Sequence, residues 1–155
     1  GGCGNELDAL LWDAECQTLM ITEMKDGGGG GPGVYYAPLQ VAAYFKMWRQ
    51  FMSTAESAWE GLTRMVRQKQ ELKLLPQQEL LRWPDSPDGV KLCPAIVVPN
   101  LPQRGQTQNR FTDVWHGVNE SFPSEQGGLL DDLRVYDWQE PELIDITDRL
   151  APRSK

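Results

Sequence analysis

The sequence predicts an α/β domain. Three observations lead there: two short apolar segments joined by a turn near the N-terminus, two successive stretches of helical character after a glycine run, and a strand–helix–strand succession in the second half. The resulting order, β-β-α-α-β-α-β, is that of a sheet covered by helices. At 155 residues the chain is the size of one domain with a real core, so it reads as a single domain over 1–155.

The first segments, Glu6 to Trp12 and Gln17 to Lys25, are apolar-rich and flank a turn-like Asp13-Ala14-Glu15-Cys16, which predicts an antiparallel hairpin. Gly27 to Gly33 contains a pentaglycine and predicts a mobile loop. A helix is expected from Ala37 to about Met52, because Pro38 suits a first turn and Leu39, Ala42, Phe45 and Phe51 supply apolar faces. Ser53-Thr54-Ala55-Glu56 has capping-box spacing and predicts a second helix from there to about Leu74. Prolines 76, 84 and 87 mark a loop, and Leu92 to Val98 predicts a buried strand in which Pro94 suggests an edge or a bulge. A short helix over Gln108 to Asn119 and a strand over Leu133 to Trp138 follow, whereas the acidic segment beyond shows no pattern that assigns an element.

Composition excludes several classes. Hydrophobic residues make up 40% and charged residues 24%, a globular balance, and no apolar run approaches the length of a membrane span. Three cysteines without C-x-x-C spacing indicate neither a disulfide framework nor a zinc site, and point to a reducing, cytoplasmic setting. The Gly1-Gly2 start is expected of a trimmed chain or a piece of a longer one. No P-loop, G-x-S-x-G elbow or H-E-x-x-H helix is present.

The net charge of −7 argues against coating nucleic acid by bulk electrostatics, but it is unevenly spread. Lys46 to Lys73 holds six bases and three acids, whereas Asn119 to Asp148 holds nine acids and one base, Arg134. The acidic segment from about residue 120 is therefore a candidate surface for a protein partner or a second copy of the chain.

Chemistry concentrates on the hairpin. Strand alternation puts Glu6 and Asp8 on one face, and Glu23 and Lys25 on one face of the next strand. With a loop over Ala14 to Gln17, paired positions sum to 31 and Asp8 stands opposite Glu23. Opposed carboxylates repel, and the arrangement makes sense with a divalent cation between them, since Mg²⁺ or Mn²⁺ prefers hard oxygen ligands. Lys25 would steady a phosphate or position a water. An acid-x-Lys tripeptide alone carries no weight: Glu71-Leu72-Lys73 is a second copy on a helical stretch with no paired Asp. The bland reading is a surface hairpin with an ordinary ion pair.

These residues resemble the hairpin of the PD-(D/E)XK nuclease superfamily, with Asp8 as the motif Asp, Glu23 as the variable acid and Lys25 as the Lys. Gln40-Val41-Ala42-Ala43-Tyr44 is similar to the Gln-x-x-x-Tyr of RecB-like branches. The resemblance spans about residues 5 to 44. It implies a restriction-endonuclease-like mixed sheet flanked by helices, and metal-dependent cleavage of DNA. Asp8, Glu23 and the Met24 backbone carbonyl would hold Mg²⁺ or Mn²⁺, with Glu6 a further candidate. Gln40 would point into the site and Tyr44 would brace it or contact nucleic acid. The family core usually opens with a helix and a strand before the motif Asp, and only seven residues precede Asp8, so these are expected to be missing, supplied elsewhere or replaced. Arg64, Arg67, Lys69 and Lys73 are candidate phosphate contacts, with a solvated helix face as the alternative. His116, the only histidine, reads as structural, and the six tryptophans read chiefly as core anchors. A catalytically inactive nuclease-fold module acting in protein or nucleic-acid binding is the alternative function.

Overall fold

The computed structural model describes residues 7–26, 32–54, 57–75, 82–99, 105–124 and 127–150. Glu6 and the pentaglycine lie outside these residues. The hairpin is formed by β1 (Ala9–Asp13) and β2 (Thr18–Met24), paired antiparallel from Ala9↔Thr22 to Asp13↔Thr18, so paired positions do sum to 31. Its turn is fixed by Asp13, whose Oδ1 accepts from the Glu15 and Cys16 N–H groups, each at 3.0 Å. Gln17 closes the turn at φ 49°, and its carbonyl accepts from Lys91 N at 3.0 Å.

Three helices follow: α1 (Pro32–Tyr35), α2 (Ala37–Thr54) and α3 (Ala58–Glu71). Pro32 and Gly33 thus open a short helix instead of ending a loop, as a proline at the first helical position has no N–H to leave bare. The Tyr36 carbonyl takes the first N–H groups of α2, from Leu39 at 3.0 Å and Gln40 at 3.2 Å. The second long helix does not begin at Ser53. The Ser53 and Thr54 hydroxyls turn back onto the Gln50 carbonyl, at 2.9 and 2.7 Å, and finish α2.

The chain then enters β3 (Lys91–Val97), α4 (Gln106–Ser121), a two-stranded ribbon of β4 (Pro123–Ser124) and β5 (Gly127–Gly128), β6 (Arg134–Gln139), β7 (Glu142–Asp145) and α5 (Thr147–Leu150). The main sheet has five strands in the order β1-β2-β3-β6-β7. β2, β3 and β6 run parallel, and the two edges are antiparallel. The protein is therefore α/β with a mixed sheet, and β2 passes to β3 through helices as parallel neighbours must.

Pro94 sits in the middle of this sheet, neither at an edge nor in a bulge. Odd residues of β3 bond towards β2, as Lys91 N does to Gln17 O, and even ones towards β6, as Val98 N does to Tyr136 O. The β3–β6 ladder starts only at Ala95↔Arg134, so a proline one residue earlier forfeits nothing. The Asp132 carbonyl there accepts from the Cys93 thiol at 3.1 Å, and burial pushes that thiol up to about 11, which keeps it protonated.

The core falls into two clusters. One joins α1, α2, α4, β3, β6 and α5, with Val41, Ile96, Phe111, Trp115, Leu130 and Val135 among its buried members. The other joins β2, α2 and α3 through Leu19, Ile21, Tyr44, Phe45, Trp59 and Leu62. Each large side chain buried this way contributes about 1.5–3 kcal/mol. On the sheet's other face the Tyr136 hydroxyl reaches Met20 Sδ at 3.6 Å, spanning β3 where its residues are small or compact.

Several acids of the C-terminal segment are engaged locally. Asp131 accepts from Asn119 Nδ2 at 2.9 Å and Gly128 N at 2.7 Å, and Asp145 pairs with Arg134 at 3.6 Å. Asn119 approaches so closely that a Cβ on Gly128 would lie 2.4 Å from its Cγ. Among the described residues no helix is long and apolar enough to cross a membrane.

Candidate active site

The hairpin positions the three sequence-predicted groups at the far end from its turn. One step beyond Ala9↔Thr22, the register brings Asp8 beside Glu23, and Asp8 Oδ2 accepts from the Met24 N–H at 2.8 Å. Glu23 follows Leu19 and Ile21 on the inward face of β2 and is only 3% exposed. Its Oε1 accepts from the Lys25 ammonium, and its Oε2 is buried with no partner among the described residues. Lys25 is held by the sheet too, through its N–H to Val97 O at 2.9 Å.

Burial pushes the Glu23 carboxyl above its ordinary pKa; Lys25 pulls it back and Asp8 pushes it up again. A carboxylate that is buried, crowded by a second one and bonded on one oxygen only is under-compensated. Hard oxygen donors of this kind could hold Mg²⁺ or Mn²⁺: the bare Oε2 of Glu23, the Asp8 carboxylate and the Met24 carbonyl. Among the described residues no group of three or more His, Cys, Asp or Glu converges. Two carboxylates nonetheless suffice for Mg²⁺, which keeps several waters and takes one or two carboxylates.

The helix motif is split by burial. Tyr44 is 8% exposed and belongs to the core cluster with Leu19 and Ile21, beneath the strand that carries Glu23. Gln40, one turn earlier, is half-buried on the flank of that face. Among the described residues no hydrogen bond joins its side chain to Asp8, Glu23 or Lys25.

The α3 cations go to different places. Arg64 and Arg67 line an open groove with Glu60, Gln68, Glu71 and Asp85, and Arg67 pairs with Asp85 at 3.5 Å. Lys69 lies about 160° to 200° around the helix from Arg67, at about 100° per residue, and lines a second groove together with Asp8. Lys73 lies beyond α3, at φ 55°. His116 is exposed on α4, 3.4 Å from Glu120 one turn on.

Two features escaped sequence reasoning. Asp137 is 8% exposed on the inward side of β6, where it accepts from Gln139 Nε2 at 2.9 Å. Alternation in Arg-Val-Tyr-Asp-Trp-Gln, with Val135 inward, signals it. The second is the groove that Lys69 and Asp8 share, for which the sequence holds no local signal, since its walls come from distant segments.

No protein-family model, no curated protein and no solved structure matches the chain.

Proposed function

We propose that the protein is a metal-dependent nuclease of the PD-(D/E)XK type that hydrolyses phosphodiester bonds in DNA, on a restriction-endonuclease-like core. The observation that carries this is the hairpin's end: Asp8 beside a buried Glu23 with one bare oxygen, and Lys25 two residues on. The order of elements supports it, because the acid-bearing hairpin is followed by helices and a strand parallel to the one that carries Glu23.

When bound, Mg²⁺ or Mn²⁺ supplies Lewis acidity towards a phosphate oxygen and acidifies water. Asp8, Glu23 and the Met24 carbonyl would hold it. The Lys25 ammonium, bonded to Oε1 and leaving Oε2 for the metal, would orient the attacking water or meet the negative charge that develops on the phosphate. The water oxygen forms the new P–O bond and gives up one proton to solvent, one P–O ester bond breaks, and the leaving alkoxide takes up a proton from solvent. Gln40 would position water or substrate, and Tyr44 holds the strand above it in place.

The test is cleavage of linear, circular and single-stranded DNA with Mg²⁺ or Mn²⁺. Lys25→Ala and Asp8→Ala should each lower the rate by at least about 10²–10³-fold while the far-UV circular dichroism of the folded chain is retained; Lys25→Ala also lowers Tm, because buried Glu23 loses its bonded partner. Full activity in either variant would sink the assignment. A second reading, an inactive scaffold that binds protein or nucleic acid, draws on the ion pair that already occupies Glu23 and Lys25. Calorimetry separates the two, since the inactive scaffold takes up no Mn²⁺.

A further inference from the structure

A groove of about 800 Å³ lies beside the hairpin, walled by Trp12 of β1, Trp48 of α2, Met65 and Lys69 of α3, and Trp83, and Asp8 lines it too. Its volume is within the range of small-molecule sites, about 300–1,000 Å³, and its walls are mainly apolar and aromatic.

The tryptophan N–H groups set one wall apart. Trp59 donates to Pro84 O at 3.2 Å, Trp83 to Thr63 Oγ1 at 2.9 Å, and Trp115 to Leu130 O at 3.0 Å. Trp12 packs on Trp83 at 5.1 Å between centroids, yet its Nε1 is buried with no acceptor among the described residues. A buried donor without an acceptor is costly; Nε1 is closed to solvent, so a ligand's acceptor relieves it only when the indole turns towards the groove. The ligand class that combines flat apolar faces with ring acceptors, and that carries an anion for Lys69, is a nucleotide. Within a duplex a base shows only its edges; its faces become available to aromatic walls only when it is unstacked.

We infer that this groove is a nucleobase subsite. It takes one unstacked base of the substrate strand against its aromatic walls, with Lys69 on the neighbouring phosphate, while the scissile phosphate lies at Asp8 and Glu23. The preferred substrate is therefore single-stranded. The inference rests on the nuclease reading for what brings a strand past Asp8.

The experiment pairs cleavage with binding. Single-stranded and duplex forms of one oligonucleotide are cleaved in Mn²⁺, and tryptophan fluorescence is titrated with oligo-dT in EDTA, using the Lys25→Ala background to exclude turnover. Single strands should be cleaved at least about tenfold faster, and Lys69→Ala should raise KM about tenfold with little change in kcat. Trp12→Phe, which keeps an aromatic wall and loses the donor, should weaken oligo-dT binding by a smaller factor, with thermal unfolding as the control for folding. Equal cleavage of both forms with unchanged KM in both variants, while Lys25→Ala abolishes cleavage, overturns the subsite and leaves the nuclease standing. Oligo-dT binding that the two variants weaken, with no cleavage in any metal, supports the subsite and removes the nuclease.

Discussion

The two core clusters are closed in different ways. The cluster under α4 is sealed: Phe111, Leu130 and Val135 are fully buried, and the Trp115 indole N–H has its acceptor. The cluster between the hairpin and α3 has fewer buried members and a wide fringe of half-buried ones, among them Leu10, Trp12, Trp48 and Trp83. Both orphaned polar atoms found among the described residues lie on the hairpin that borders it, Trp12 Nε1 on β1 and Glu23 Oε2 on β2. The contrast teaches where stability and access lie. The sealed half fixes β3 and β6, and the open half keeps unpartnered polar groups on the hairpin.

The largest effects should break this contrast directly. Phe111→Ala empties a fully buried site in the sealed half and should cost about 3–5 kcal/mol, read by urea denaturation. Leu10→Ala in the open fringe should cost less, about 1–2 kcal/mol, because a half-buried side chain gives up less apolar area. Equal losses would erase the distinction.

Metal sharpens the comparison next. Mn²⁺ at one hundred times its Kd should stabilise the folded chain by about 2.7 kcal/mol, seen as a rise in Tm, and Glu23→Gln should remove most of that rise. Without metal, Glu23 should make stability fall with pH. Its folded pKa is raised by burial, so between the ordinary carboxylate value and the raised one the folded state binds more protons than the unfolded state. Stability drops as pH climbs through that window and levels off above it. Denaturant titrations across this range should show the slope in the parent chain and a flatter profile in Glu23→Gln.

The smallest effect belongs to the outer face of α3. Arg67→Ala breaks an exposed pair with Asp85 and should change stability by no more than about 0.5 kcal/mol. A larger loss would mean that the open groove between them is more than a solvated surface.

What could be read beforehand follows from the range of the forces involved. The hairpin register was legible because a four-residue turn and two alternating strands are local, and Pro38 placed the start of α2 for the same reason. The start of the second long helix was misread because Ser53 and Thr54 can bond forwards or backwards, and their hydroxyls chose the Gln50 carbonyl behind them. β7 and α5 were invisible within the acidic segment because distant partners hold them: Ile146 N to Val135 O at 2.8 Å, and Val135 N to Thr147 Oγ1 at 2.9 Å. Of the site, Asp8, Glu23 and Lys25 could be placed together from spacing alone. The partnerless oxygen of Glu23 could not, since it depends on what Leu19, Ile21 and α2 enclose.

The Asp13 turn sets a reading frame for the chemistry five pairs away. Its side chain fixes a four-residue loop, and that length alone decides which residue of β2 faces Asp8. One residue inserted at Ala14 would move every partner by one place, put Thr22 or Met24 where Glu23 stands, and turn the strand's apolar set outwards. A two-residue insertion could keep the faces and still separate the carboxylates. In the same sense as a codon phase, the hairpin tolerates many substitutions in its loop and very few changes in its length.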